Sequence, residues 1–401
     1  MHEAEQPTGD SRPAPGGAAR GARGARMTRR ELQGHILTPQ GFVRGTLSIE
    51  GGRVAGIEGQ PISEGQARVS AEPLILPGFI DLHVHGGGGF DTMEGGNAVA
   101  EIARVHARHG TTSMLATTMT APMADISKAM AALADACRTH RRGRAHVMGV
   151  HLEGPYINPG ALGAQPDFAR PASVDEVKAL HAIAPIRLIT MAPELPGNLD
   201  LIAPLRAAGF HVQIGHTAGT YEDGVAALQR GATGFTHLFN AMSKFKHREP
   251  GIAGAALAHA EFAEIIPDLL HVHPGAIRAA LRAIPCLYCV TDSTAAAGMP
   301  DGDYNLGSHR VTKCLGGVRL ADGTLAGSTL TMDQALRNLV GMGLSLDDAS
   351  RRVATNAADF LGLADRGRLL VGARADVVVL DADLQLTQVI VEGDSIELTD
   401  V

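Results

Sequence analysis

Eight short apolar runs of strand character alternate with segments of helical spacing between residues 74 and 292, and this alternation constrains the architecture most tightly. The runs are Leu74–His85, Thr112–Thr118, His146–Glu153, Ile186–Met191, Phe210–His216, Ala232–His237, Phe262–His271 and Leu287–Asp292. Helical spacing fills intervening stretches such as Asn97–His109, Ala124–His140, Val174–Ile183, Leu199–Ala208, Tyr221–Arg230 and Pro274–Ala283. Alternating strands and helices predict an α/β class with a parallel sheet. Eight repeats close that sheet into a (β/α)8 TIM-like barrel, whose chemistry belongs at the C-terminal strand ends.

The flanks read differently. Thr46–Glu50 and Arg53–Glu58 are β-type runs separated by Gly51-Gly52 in a hairpin pattern. Asp376–Asp381 and Thr387–Glu392 mirror them near the other end, and neither flank has enough apolar surface to fold alone. Residues 27–73 and 366–401 are therefore expected to form one small β-sandwich domain, with the barrel over 74–365. Residues 1–26 are rich in Gly, Ala, Pro and Arg and lack an apolar stretch, so they are expected to be a disordered tail. Acidic Glu3, Glu5 and Asp10 argue against a transit peptide, and Met27 offers an alternative start.

Composition removes several function classes. With 35 basic and 42 acidic residues there is no basic stripe for nucleic acid. No apolar stretch approaches the roughly 20 residues that cross a bilayer, so a soluble protein with no membrane partner is expected. Cys137, Cys286, Cys289 and Cys314 are too few and scattered for a disulfide framework, which favours a reducing, cytoplasmic compartment. Cys286-x-x-Cys289 lies in a strand-like run without a second pair and reads as buried structural thiols.

Nitrogen and oxygen donors collect where a barrel would use them. In an extended chain the alternation of His83 and His85 puts both imidazoles on one face. Gly86–Gly89 follow and let the chain turn out of the barrel mouth. Glu153, His216, His237 and Asp292 each end another run. Six donors on five strand ends read as a hydrolytic metal site, to which neutral imidazoles bring zinc or iron. Asp292, ending the last strand, suits either a general base facing a metal-bound water or a cap of the next helix. His106, His109, His140, His181 and His309, on helical or loop segments without partners, read as surface residues.

Several longer motifs join these donors: Pro77-Gly-Phe-Ile-Asp-Leu-His-Val-His-Gly86, His151-Leu-Glu-Gly-Pro155, Gly215-His-Thr217, Thr236-His-Leu-Phe-Asn-Ala-Met242, Arg248-Glu-Pro-Gly251, Leu270-His-Val272, Val290-Thr-Asp292 and Gly327-Ser-Thr-Leu-Thr-Met332. From about residue 32 to 395 the chain resembles the N-acetylglucosamine-6-phosphate deacetylases of the amidohydrolase superfamily. The Pro-Gly-Phe-Ile-Asp start is superfamily-wide, whereas His-Leu-Phe-Asn-Ala-Met with Arg-Glu-Pro-Gly is more specific to the deacetylases.

The resemblance implies that Glu153, His216 and His237 hold a principal divalent metal and that Asp292 is the catalytic acid/base. His83 and His85 would hold a second ion, with Glu153 as the bridge. Zinc is expected first, with iron, cobalt or manganese as alternatives. Arg248 and His271 would receive the sugar phosphate, and Asn240 and Ala241 would line the pocket. A homodimer is expected, in which the arginine crosses the subunit interface. Gln165 in Gly163-Ala-Gln-Pro166 stands where some relatives carry a histidine that polarises the amide carbonyl. Pro267-Asp-Leu-Leu-His271 replaces the usual Asp-Gly before the pocket histidine. The implied reaction releases acetate from N-acetylglucosamine 6-phosphate in amino-sugar catabolism. The galactosamine epimer is the nearest alternative. A cyclic-amide hydrolase is disfavoured because Ile186–Met191 has no lysine to bridge two metals, and an inactive scaffold because all six donors are present.

Overall fold

The barrel strands are buried along almost their whole length, whereas the outer strands of the sheet built from the chain ends, such as Gly41–Glu50, Arg53–Pro61 and Leu386–Val391, keep exposed positions. The computed structural model describes residues 29–398; the expected tail over 1–26 and the start at Met27 lie outside the described residues. The barrel strands are β1 (Phe79–Val84), β2 (Thr111–Thr117), β3 (His146–Glu153), β4 (Ile186–Met191), β5 (His211–Ile214), β6 (Gly234–Phe235), β7 (Phe262–Ile265) and β8 (Cys286–Cys289). Strands β1 to β6 pair in parallel in sequence order, and β7 pairs in parallel with β8. Leu238 N donates to Glu264 O at 2.9 Å, joining the end of β6 to β7. Asp292 N donates to His83 O, and His85 N to Ser293 O, each at 2.9 Å, so the ring closes at the mouth.

Helices cover the outside of the barrel. In Ala98–Arg108 the positions Val99, Ile102, Ala103 and His106 recur at helical spacing and are buried. His106, expected at the surface, is instead fully buried, and its Nε2 lies 3.0 Å from Gly86 O. Burial pushes its pKa down to about 4, so the ring is neutral. His109 and His181 also have partners: His109 faces Asp333 at 3.5 Å, and His181 Nδ1 accepts from Ile186 N. Two expected strands are revised. The run Phe262–His271 stops at Ile265, because Asp268 Oδ1 accepts from Leu270 N and His271 N in a local turn. The run Leu74–His85 divides at Gly78, where any Cβ would lie 2.2 Å from Thr112.

Its first half, Leu74–Pro77, belongs to a seven-stranded sheet made by both ends of the chain. It pairs in parallel with Arg30–Thr38 and antiparallel with Val377–Leu380. Gly41–Glu50 and Arg53–Pro61 form the expected hairpin. The edge strand Arg53–Pro61 and its turn also bond to the segment that leads into Val377–Leu380: Val54 N donates to Ala373 O and Ala375 N to Gly52 O, each at 2.9 Å. One face encloses Ile36, Leu47, Ile75, Val377 and Ile390, while Leu37, Leu74, Leu76 and Val378 join the barrel core. Arg366 is buried at the junction and reaches Asp376, Ser113 and Glu392.

A three-stranded insertion, Gly302–Leu306, His309–Cys314 and Gly317–Arg319, follows β8 and escaped the sequence reading. Its strands alternate in exposure and offer no long apolar run. All four cysteines are free; Cys289 is buried, as expected, and its thiol is pushed up to about 12, whereas Cys286, expected to be buried too, is only half-buried. Among the described residues, no helix is long and apolar enough to cross a membrane.

Candidate metal centre and substrate pocket

Leaving a parallel strand, the chain must turn before it can enter a helix, and at three strand ends the turning residue carries a donor. His216, His237 and Asp292 adopt φ of 48°, 28° and 49°, in the left-handed region that costs a non-glycine residue about 1–3 kcal/mol. The observation that all three face one cavity ties that strain to the site. The cavity is about 240 Å³. Every residue singled out from the sequence lines it except His83, which lies fully buried beneath, and Arg248.

Glu153 stands between two imidazole pairs. Its Oε1 lies 3.1 Å from both His216 Nε2 and His237 Nε2, which are 3.0 Å apart. Its Oε2 lies 3.0 Å from His85 Nε2 and 3.4 Å from His83 Nε2, which are 3.1 Å apart. Each trio keeps its ligand atoms within 4.8 Å of one another. Bonds of 2.0–2.1 Å to a tetrahedral ion imply donor separations of about 3.3 Å, so both trios have the spacing a divalent metal requires. Asp292 Oδ1 lies 3.4 Å from His85 Nε2 and 3.5 Å from His83 Nε2, at the same centre.

The outer nitrogens of His83 and His216 have partners, whereas Nδ1 of His85 and Nδ1 of His237 are buried without one among the described residues. His83 Nδ1 lies 3.0 Å from Glu264 Oε2, and His216 Nδ1 lies 2.9 Å from Ala161 O. Glu264 also accepts from His237 N at 3.2 Å and is completely buried. Asp81 accepts from His83 N and from the Thr291 hydroxyl, at 3.2 and 2.6 Å, and burial raises its carboxyl to about 7. Sequence reasoning missed the tasks of Glu264 and Asp81. The available signal was an acid among the apolar residues of each of two strands, Phe79–Val84 and Phe262–Ile265.

The charges of these side chains act strongly on one another. Burial pulls the His83 imidazolium down, but Glu153, Asp292 and Glu264 outweigh it and hold the group well above the ordinary histidine range. Burial likewise opposes charge on Glu153 and Asp292, and the facing imidazoles reverse that and keep both carboxylates ionised. Such a site collects positive charge readily.

The remaining residues separate into two groups. His271 Nδ1 lies 2.6 Å from Asp268 Oδ2; burial opposes its charge, and Asp268 overcomes this to raise its pKa. Gln165 is buried, and Asn240 and Ala241 line the wall beside His237. Met119, Leu306 and Leu325 add an apolar side, the latter two supplied by the insertion region. Arg248 is exposed near the tip of a short turn, in which Lys246 and Glu249 exchange backbone hydrogen bonds, and makes no ion pair with a described residue. Within one chain it stands outside the cavity.

Residues 74–396 match the Amidohydrolase family. The chain is 38% identical to the N-acetylgalactosamine-6-phosphate deacetylase of Escherichia coli O157:H7, over 89% of this chain and 96% of that protein. It is 36% identical to the N-acetylglucosamine-6-phosphate deacetylase of Bacillus subtilis (strain 168), over 87% of this chain and 92% of that one. A mutant of N-acetyl-D-glucosamine-6-phosphate deacetylase from Mycobacterium smegmatis, solved in complex with N-acetyl-D-glucosamine-6-phosphate, superposes with a TM-score of 0.84 at 34% identity, covering 92% of this chain and 99% of that one. With its barrel, its chain-end sheet and this degree of identity, the chain belongs to the amidohydrolase family and, within it, to the N-acetylglucosamine-6-phosphate deacetylases.

Proposed function

We propose that the protein hydrolyses the acetamide of N-acetylglucosamine 6-phosphate, giving glucosamine 6-phosphate and acetate, and that Glu153, His216, His237, His83 and His85 hold one or two divalent ions for this reaction. The observation that carries the reading is Glu153, with one oxygen facing each imidazole pair. Imidazole and carboxylate donors at tetrahedral spacing favour zinc, with iron, cobalt or manganese as alternatives. When bound, the ion supplies Lewis acidity and a water of lowered pKa. Asp292 takes the proton of the attacking water and returns it to the leaving amine nitrogen. Asp81 and Glu264 hold the His83 strand end in place, and Glu264 also fixes His237 through its backbone N–H. Met119, Leu306 and Leu325 give the acetyl methyl an apolar wall, while Asn240 and Ala241 contact the rest of the substrate.

The phosphate needs cations. His271, whose charged form Asp268 favours, is one; Arg248 is the other, and its position outside its own cavity supports a homodimer that inserts it into the neighbouring site. Exposed Phe245, three residues before Arg248 in the chain, offers apolar surface for that contact. Free thiols fit a cytoplasmic location. The test is acetate release by metal-replete protein from N-acetylglucosamine 6-phosphate, its galactosamine epimer and unphosphorylated N-acetylglucosamine. The glucosamine 6-phosphate derivative should react fastest. Faster turnover of the epimer would reassign the sugar, and no acetate from any of the three would overturn the reading.

A further inference from the structure

The amide of Gln165 has a fixed orientation. Its Oε1 accepts from Thr120 N at 2.7 Å, so Nε2 must face the opposite way, where it donates to Glu153 Oε2 at 2.7 Å. The side chain is buried. The segment carrying Thr120 also braces the turn after β3: a Cβ on Gly154 would meet Thr120 Oγ1 at 1.9 Å. Thr120 is thus locked against the residue after Glu153 and, through its N–H, sets which end of the Gln165 amide the carboxylate sees. The oxygen that receives this N–H is the one facing His85 and His83, whereas the oxygen facing His216 and His237 receives nothing from Gln165.

We infer that Gln165 is a positioning residue for Glu153, holding the carboxylate plane so that its two oxygens address the two imidazole pairs separately. The inference rests on the metal-hydrolase reading above. A residue that polarised the substrate carbonyl would act on turnover. One that orients a ligand acts first on metal retention, and loss of such an outer hydrogen bond typically costs 10–100-fold in affinity.

The test compares the holoenzyme with Gln165→Met, which keeps the length without the donor, and Gln165→His, whose ring again offers one donor and one acceptor. Zinc affinity is read by competition with a chromophoric chelator, folding by thermal unfolding of the metal-free forms, and kcat and KM at saturating zinc. The expected result is a roughly 10–100-fold loss of affinity in Gln165→Met, affinity restored in Gln165→His, and most of kcat recovered in both once zinc saturates. Parent-like zinc retention in Gln165→Met with a lasting fall in kcat would overturn the inference and return Gln165 to the carbonyl. Should Gln165→Met fail to fold, Gln165→Leu, which also lacks the donor, takes its place with the same two readings: a loss of roughly 10-fold or more supports the positioning role, and parent-like retention with a lasting fall in kcat overturns it. A parent protein that takes up no zinc would overturn the metal-hydrolase reading as well, a result distinct from either.

Discussion

Asp292 combines a left-handed backbone with a carboxylate facing His83 and His85. Asparagine tolerates the same backbone region, so Asp292→Asn should fold and bind substrate while losing the proton carrier. A fall in kcat of about 10²–10⁴ with little change in KM is expected; steady-state kinetics that leave kcat near the parent value would remove Asp292 from the proton path. Replacing His83 by Gln and His85 by Asn should cost one ion per chain and leave partial activity at the Glu153, His216 and His237 trio. Metal analysis decides this, and a parent holding a single ion when metal-replete would refute the binuclear arrangement. The donors were legible because each ends an apolar run. Glu264 and Asp81 were not, because an acid inside a strand can be read as a partner only once its neighbour across the sheet is known. His106 shows a related blindness: its spacing from Val99, Ile102 and Ala103 was visible, but histidine is common enough on surfaces that polarity was weighted above period.

Among the elements, the helix Met332–Gly341 carries Asp333 in its first turn, where a carboxylate also suits the helix dipole. Burial would raise this carboxyl, but His109 and Arg337 outweigh it and bring the pKa down to about 2. Arg337 Nη2 donates to Oδ2 at 3.0 Å, while His109 Nδ1 lies 3.5 Å from Oδ1. A folded pKa below the unfolded value near 3.9 stabilises the protein above about pH 4, and the contribution is lost as pH falls towards 2. Asp333→Asn should therefore cost about 2 kcal/mol at pH 7. The melting curves of mutant and parent should converge between pH 4 and 2; a gap unchanged across that range would assign the loss to packing. At this scale the strand and helix alternation was legible because both periods are strong. The insertion after β8 was not, since its short alternating strands gain their apolar partners only against Met119 and Ala296.

For the whole molecule, a formal charge of −7 makes a sugar phosphate an unfavourable visitor unless local cations draw it in. If Arg248 serves the neighbouring subunit, mixing Arg248→Ala chains with Asp292→Asn chains should rebuild one intact site per hybrid dimer. Acetate release should then exceed that of either variant alone, and verified hybrids without recovery would place each arginine in its own site. The motif around Arg248 was plain in the sequence, but its distance from its own cavity was not, because the turn between Lys246 and Glu249 sets that distance.

Because Leu74–Pro77 lies between strands from opposite ends of the chain, completion of that sheet is timed by translation. Arg30–Thr38 is available at once, but Val377–Leu380 emerges only after the whole barrel has been made. At roughly 5–20 residues per second the inner edge stays open for some tens of seconds. A nascent chain therefore exposes Leu74, Ile75 and Leu76 on an unpaired edge throughout barrel synthesis, and chaperone capture or pairing between neighbouring nascent chains would act there.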